Sequence, residues 1–130
     1  MAAARAVRGK AHAPYSRFRV GAAVLDETGR IHVGCNVENA SYGLTICAER
    51  NAVAAAIAAG ARTVRAVAVV TGTRPPGAPC GACRQVLVEF AEDATPVWLA
   101  PPSGARSIIE HRLGDLLPAA FRFDNRPRKG

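Results

Sequence analysis

Between Asn51 and Gly60 the chain reads AVAAAIAA, eight residues without a polar side chain. Alanine has the highest helix propensity and glycine commonly follows a helix end, so the stretch is read as a helix that stops at Gly60. Val53 and Ile57, four apart, share one face of it. The constraint lies at its mouth, where Cys47, Glu49 and Arg50 stand together. Inside a helix, positions two apart point away from each other. Cys47 and Glu49 can therefore address one point only if it lies off the helix N-terminus, near the axis.

A second cluster, PCGACR from Pro79 to Arg84, opens another segment of helical pattern, CGACRQVLVEFAE, with Ala82, Val86 and Phe90 on a common face. Cys80 and Cys83, three apart, lie on one side of that helix start and can hold one ion. Cys47 would be the third ligand. Zinc accepts thiolates readily, and three protein ligands with an open fourth position are the arrangement of catalytic rather than structural zinc. Three thiolates around a divalent ion leave excess negative charge. Two helix N-termini, each equivalent to roughly half a positive charge, would offset it, as would Arg50 and Arg84. Glu49 is then the proton carrier: zinc can bring the pKa of bound water to about 7, and a carboxylate within reach takes the proton and passes it on.

Each residue also has a plainer reading. Cysteine packs as a small buried hydrophobe, a glutamate is favourable in any first helical turn, and arginines are ordinary surface cations. The pairing of Cys-Ala-Glu with Pro-Cys-x-x-Cys on two helix starts weighs toward the metal. Cys35 ends a strand without ligand-type spacing and is read as core, although as a fourth ligand it would close the site and make it structural. His12, His32 and His111 show no ligand-like spacing.

Around these clusters the chain alternates strands and helices. A short helix fits residues 2 to 11, ending before Pro14. A hairpin follows: Phe18, Val20, Ala22 and Val24 alternate, DETG turns, and Ile31 and Val33 alternate on the return. NASYGLT is a loop, and Asn36 and Asn39 read by themselves as turn residues. Val64 to Val70 is β-branched and apolar like a buried central strand, TGTRPPGAP is irregular, and TPVWLA is a further strand. RSIIEHRL starts either a fifth strand or a short helix. The expectation is an α/β fold, a mixed sheet of about five strands flanked by helices, in a single domain spanning residues 1–130 with a basic, flexible tail from about residue 124.

The chain is 49% hydrophobic and has no run able to span a membrane. The first sixteen residues lack the apolar stretch of a secretory signal, which places the protein in the cytoplasm and its four cysteines in a reducing setting. A net charge of +7 invites a nucleic-acid partner. The excess, however, sits at the ends: Arg5, Arg8, Lys10 and Arg17, with Arg19 close behind, precede the first acid, Asp26, while Arg122, Arg126, Arg128 and Lys129 face only Asp124. With one tryptophan, two tyrosines and four phenylalanines, the chain has too few rings to interleave with those cations, so no nucleic-acid groove and no membrane partner are expected.

From APYSRFRVGAAV through GCNVENASY, CAER and PCGACRQV to LLPAAF, residues 13–121, the chain resembles the small cytidine deaminases, and its cysteine motifs match the three-cysteine form of the zinc deaminase signature. The resemblance implies a three-layer fold, one zinc ion per subunit, hydrolysis of cytidine and deoxycytidine to the uracil nucleosides with loss of ammonia, and a homotetramer with shared active sites. It implies Cys47, Cys80 and Cys83 as ligands and Glu49 as acid and base. Asn36 and Glu38 would grip the ribose hydroxyls, Phe18 would pack on the base, and the Ala48 backbone would contact it. Ala40, Tyr42 and Phe121 would serve a neighbouring subunit's pocket. A deaminase of blasticidin S shares the zinc motifs, and the ribose-type NVEN argues against it. A nucleic-acid-editing deaminase is disfavoured by the charge distribution. The segment before APYS is shorter than is usual in the family.

Overall fold

The computed structural model describes residues 1–123, so the tail expected from about residue 124 lies outside the described residues. Five strands form one mixed sheet: β1 Val20–Asp26, β2 Ile31–Cys35, β3 Val64–Thr71, β4 Pro96–Ala100 and β5 Ile109–Arg112, in the order β2-β1-β3-β4-β5. β1 is antiparallel to both β2 and β3, β3 and β4 are parallel, and β5 runs against β4. β2, β3 and β4 therefore point the same way. Four helices accompany the sheet: α1 Ala2–Arg8, α2 Ala48–Ala58, α3 Gly81–Phe90 and the single turn α4 Leu113–Leu116. RSIIEHRL thus supplies both of its expected outcomes, β5 and then α4.

The sheet separates two unequal cores, giving the three layers expected. Val20, Ala22, Val24, Val67, Val69, Val97 and Leu99 face α2 and α3, where they pack with Ala52, Val53, Ala56, Leu87 and Val88. On the other face a smaller cluster joins Ala4 of α1 to Ala23, Ala68, Val70 and Ala100. Alternation along β1 and β3 thus feeds both cores, and for that reason nearly every residue of these strands is buried.

Burial along three of the faces read from the sequence is uneven. On β2 the buried positions are His32 and Gly34, whereas Ile31 and Val33 are exposed. Their face is covered only by α1, seven residues or about 10 Å long, too short to shield the edge strand. His32 is buried because its Nε2 lies 2.8 Å from Asp26 Oδ2, while Asp26 Oδ1 accepts from Thr28 and Arg30 and so organises the hairpin turn. In α2, Val53 is buried and Ile57 is exposed, since the helix rests on the sheet through alanines. In α3 the buried face is Cys83, Leu87 and Val88, with Val86 and Phe90 at its margin and Ala82 exposed.

Glycine sets how closely α2 approaches. A Cβ on Gly34 would lie 2.3 Å from Ala52 N and 2.6 Å from Ala48 O, so β2 touches the first turns of α2 backbone to backbone. Gly34→Ala should destabilise the protein by about 1–3 kcal/mol through overpacking and push the start of α2 outward. Gly43→Ala, with nothing within 4 Å of the added atom, should change stability by less than about 0.5 kcal/mol. Thermal or denaturant unfolding of the two variants checks this.

Candidate active site

Both cysteine motifs occupy helix starts, and they occupy the cap itself. Cys47 is the N-cap of α2 and Cys80 the N-cap of α3, each in extended backbone and neither making a side-chain capping bond. Position N-cap is where serine or aspartate usually accepts from the exposed first-turn N–H groups. A sulfur there has the same dipole at its back and remains free to face outward. Cys83 follows one turn into α3, fully buried.

The Cys80 sulfur lies 3.8 Å from that of Cys47 and 3.5 Å from that of Cys83, and all three sulfurs lie within 4.8 Å of one another. Zinc–sulfur bonds of about 2.3 Å in a tetrahedron require sulfurs roughly 3.8 Å apart, so the trio fits zinc in chemistry and in spacing. Cys35, half-buried at the end of β2, lies outside this cluster and does not complete a four-sulfur site.

The site is electrostatically polarised. Cys47 is pulled down to about 5 by the hydrogen bond from the Cys83 thiol, with Arg50 and Cys80 adding to it against the cost of partial burial. Cys83 is pushed up, because it donates to Cys47 and is itself buried. One sulfur is thus anionic before the others, and binding a metal must displace the remaining protons. Arg50 stands 3.5 Å from Cys47 Sγ through one terminal nitrogen, while its buried Nε has no partner.

Arg84 behaves differently. Its Nε donates to Pro79 O and its Nη1 to Leu116 O, each at 2.7 Å, so its guanidinium grips backbone carbonyls rather than sulfur. Sequence spacing gave no means of finding these contacts, and they leave the positive charge of Arg84 one residue beyond Cys83. Glu49, in the first turn of α2, is 5% exposed, and burial raises its pKa, with the charge of Cys47 adding and that of Arg50 opposing. Ala48 beside it is fully buried.

Backbone pairing brings the other candidates alongside. Val37 and Ile46 exchange bonds of 2.9 and 3.0 Å, which fixes Asn36 and Glu38 next to the residue preceding Cys47. His12 N donates to Asn36 O, and Glu38 N donates to His12 O, laying the 12–18 segment along the same strip. Asn36 is buried and spends its side chain on the start of β1: Oδ1 accepts from Val20 N at 2.8 Å and Nδ2 donates to Phe18 O at 2.7 Å. Glu38 accepts from Tyr15 N, Ser16 N and the Ser16 hydroxyl, which hold its pKa below the usual value. Ser16 thus emerges as a partner that motif reading missed. Phe18 is 41% exposed, and Ala40, Tyr42 and Phe121 lie on the surface, Tyr42 in edge contact with Tyr15 and Phe121 with Phe123.

Two helix ends converging on three sulfurs, with a buried carboxyl two residues beyond one of them, are the makings of a zinc-binding hydrolytic site. Residues 1–99 match the family model described as the cytidine and deoxycytidylate deaminase zinc-binding region, and the chain belongs to that family. It is 51% identical over 115 residues to the cytidine deaminase of Halalkalibacterium halodurans, covering 88% of this chain and 86% of that one. With the cytidine deaminase of Mycobacterium tuberculosis it shares 47% identity over 124 residues, covering 92% and 84%. A crystal structure of cytidine deaminase from Burkholderia pseudomallei superposes with a TM-score of 0.86 at 52% identity, covering 92% of this chain and 94% of that one.

The charge pattern can be read directly in metal-free protein. Because the thiolate is the form that alkylates, the rate at Cys47 should rise with pH around a midpoint near the value of about 5. Replacing the largest cause, Cys83→Ala, should move that midpoint up most, with Arg50→Met second. Peptide-resolved mass spectrometry after iodoacetamide pulses measures both; an unmoved midpoint in both variants would contradict the assigned causes.

Proposed function

We propose that this chain hydrolyses cytidine and deoxycytidine to uridine and deoxyuridine with release of ammonia, a pyrimidine-salvage step. The observation that carries this is the cluster of three sulfurs within 4.8 Å at two helix starts, with Glu49 buried two residues beyond Cys47. Cys47, Cys80 and Cys83 would hold one zinc ion per subunit. When bound, zinc supplies Lewis acidity, lowering the pKa of water toward about 7.

Glu49 moves the protons. Its carboxylate oxygen takes one proton from the attacking water and delivers it to N3 of the pyrimidine as the hydroxyl adds to C4, then takes the proton of that C4 hydroxyl and delivers it to the amino group, so that the C4–N bond breaks, the C4 carbonyl forms and ammonia leaves. A carboxyl whose pKa burial has raised toward the working pH is suited to both acceptance and donation. Arg50 holds the Cys47 sulfur and counters the negative charge of the trio. Phe18 packs on the base, the Ala48 backbone contacts it, and Asn36 and Glu38 take the ribose hydroxyls.

Exposure supports a shared site. Tyr42 is 75% and Phe121 66% exposed, and with Leu44 and Ile46 they leave apolar surface open. We take Ala40, Tyr42 and Phe121 to serve a neighbouring subunit's pocket in a homotetramer, with residues 1–130 acting as a single domain. Among the described residues no helix is long and apolar enough to cross a membrane. The need to keep three thiols reduced supports a cytoplasmic setting.

Zinc-loaded protein incubated with cytidine should show the absorbance loss that accompanies uridine formation, and it should turn over cytidine faster than blasticidin S. Absence of turnover on both cytidine and deoxycytidine would reject the proposal. Glu49→Gln should retain zinc and lose roughly 10²- to 10⁴-fold in kcat. Metal analysis alongside single-substrate kinetics separates the two effects.

A further inference from the structure

We propose that Arg84 is a positioning residue that sets the shape of the metal-ligand turn by bridging it to the C-terminal end of α4. Three contacts carry this. The Arg84 backbone N–H donates to Cys80 O at 3.0 Å, closing the Cys80–Cys83 turn from inside the helix. Its Nε donates to Pro79 O at 2.7 Å, so that one residue holds the carbonyls of two consecutive positions, one of them the ligand Cys80 itself. Its Nη1 donates to Leu116 O at 2.7 Å, thirty-two positions away in sequence.

These bonds account for a location that helix propensity alone disfavours. Arg84 lies in the first turn of α3, where a cation opposes the helix dipole. A lysine would place one point charge there. The planar guanidinium instead reaches two carbonyls at once, and charged donors make short, strong hydrogen bonds. Pro79 is fully buried and has no N–H of its own, so its carbonyl is its one backbone handle. Leu116 O, at the end of a four-residue helix, is one of the carbonyls a helix C-terminus leaves without an internal partner. Arg84 satisfies that group and uses it as an anchor for the turn bearing Cys80 and Cys83.

The anchor is itself fixed by bonds that do not touch the metal turn: Leu113 N donates to Thr95 O at 2.9 Å and Gly114 N to Asp93 O at 3.0 Å. The segment that follows α4 is tied back to α3. Arg122 donates to Val88 O and Ala91 O and pairs with Asp93 at 3.3 Å, while Gln85 Nε2 donates to Phe121 O at 3.1 Å. Gln85, next to Arg84 in sequence, reaches only the C-terminal segment. It therefore serves as the internal comparison.

The test is the rate at which zinc-loaded protein yields its metal to an excess of a chromogenic chelator, read independently of any turnover. Arg84→Lys keeps the charge and loses the fork; it should release zinc at least tenfold faster than the parent and alter the visible absorption of the cobalt-substituted protein. Gln85→Ala should release zinc within twofold of the parent. If Arg84→Lys releases zinc within twofold of the parent, or if Gln85→Ala accelerates release equally, the bridging role is overturned. Arg84→Met is the stronger lesion, and should it fail to fold, the lysine variant decides alone. Because zinc release is measured directly, failure here leaves the deaminase reading standing, and failure of turnover leaves this test intact.

Discussion

Three sulfurs drawn from chain positions thirty-six residues apart meet because two helices begin at the same edge of one sheet. Since β1 is antiparallel to both of its neighbours, β2 and β3 share a direction, and β4 shares it through its parallel pairing. α2 follows β2 and α3 follows β3, so both helix N-termini fall at the edge where those strands end. Open α/β sheets present ligand sites outside the carboxyl ends of their strands, and here that edge carries two N-caps occupied by cysteine. The antiparallel β1 in the middle is thus what lets a hairpin and a parallel crossover deliver their helices to one point.

That arrangement also governs the electrostatics. Each exposed helix end contributes partial positive charge, and Arg50 adds a full one beside Cys47. The trio of sulfurs carries the opposite sign, with Cys47 already depressed to about 5. The charges therefore compensate locally without any lysine or arginine having to bond all three sulfurs. Arg84, whose donors go to backbone carbonyls, bonds to none of the sulfurs.

The metal trio was legible in the sequence because its chemistry is local: a cap residue, a spacing of three and a helix start are all short-range facts. The strands were legible for the same reason, since β-branched runs bounded by turns need no partner to be recognised. What sequence pattern did not carry was thickness. Alternation shows that Ile31 and Val33 share a face, but only the short α1 above them makes that face exposed. The same holds for Ile57, whose helix sits close enough to the sheet at Gly34 for Ala48, Ala52 and Ala56 with Val53 to fill the gap. Long-range side-chain to carbonyl bonds, such as Arg84 to Leu116, leave no periodic trace at all.

The polar residues proposed to bind the ribose show how such a site is held ready. An amide offers two donors and two acceptor lone pairs, and Asn36 commits one donor and one acceptor to the start of β1. Glu38 is oriented by Tyr15 and Ser16 in the segment that also carries Phe18. Each side chain is thereby fixed before a substrate arrives, and what is left over for a ligand hydroxyl is the remaining donor or lone pair. Fixed groups lose little freedom on binding, which is where orientation contributes to a reaction barrier. The segment between β2 and α2, with only the single 3-10 turn Tyr42–Leu44 for regular structure, holds these two polar side chains less by packing than by bonding them to the start of β1 and to the turn at Tyr15 and Ser16.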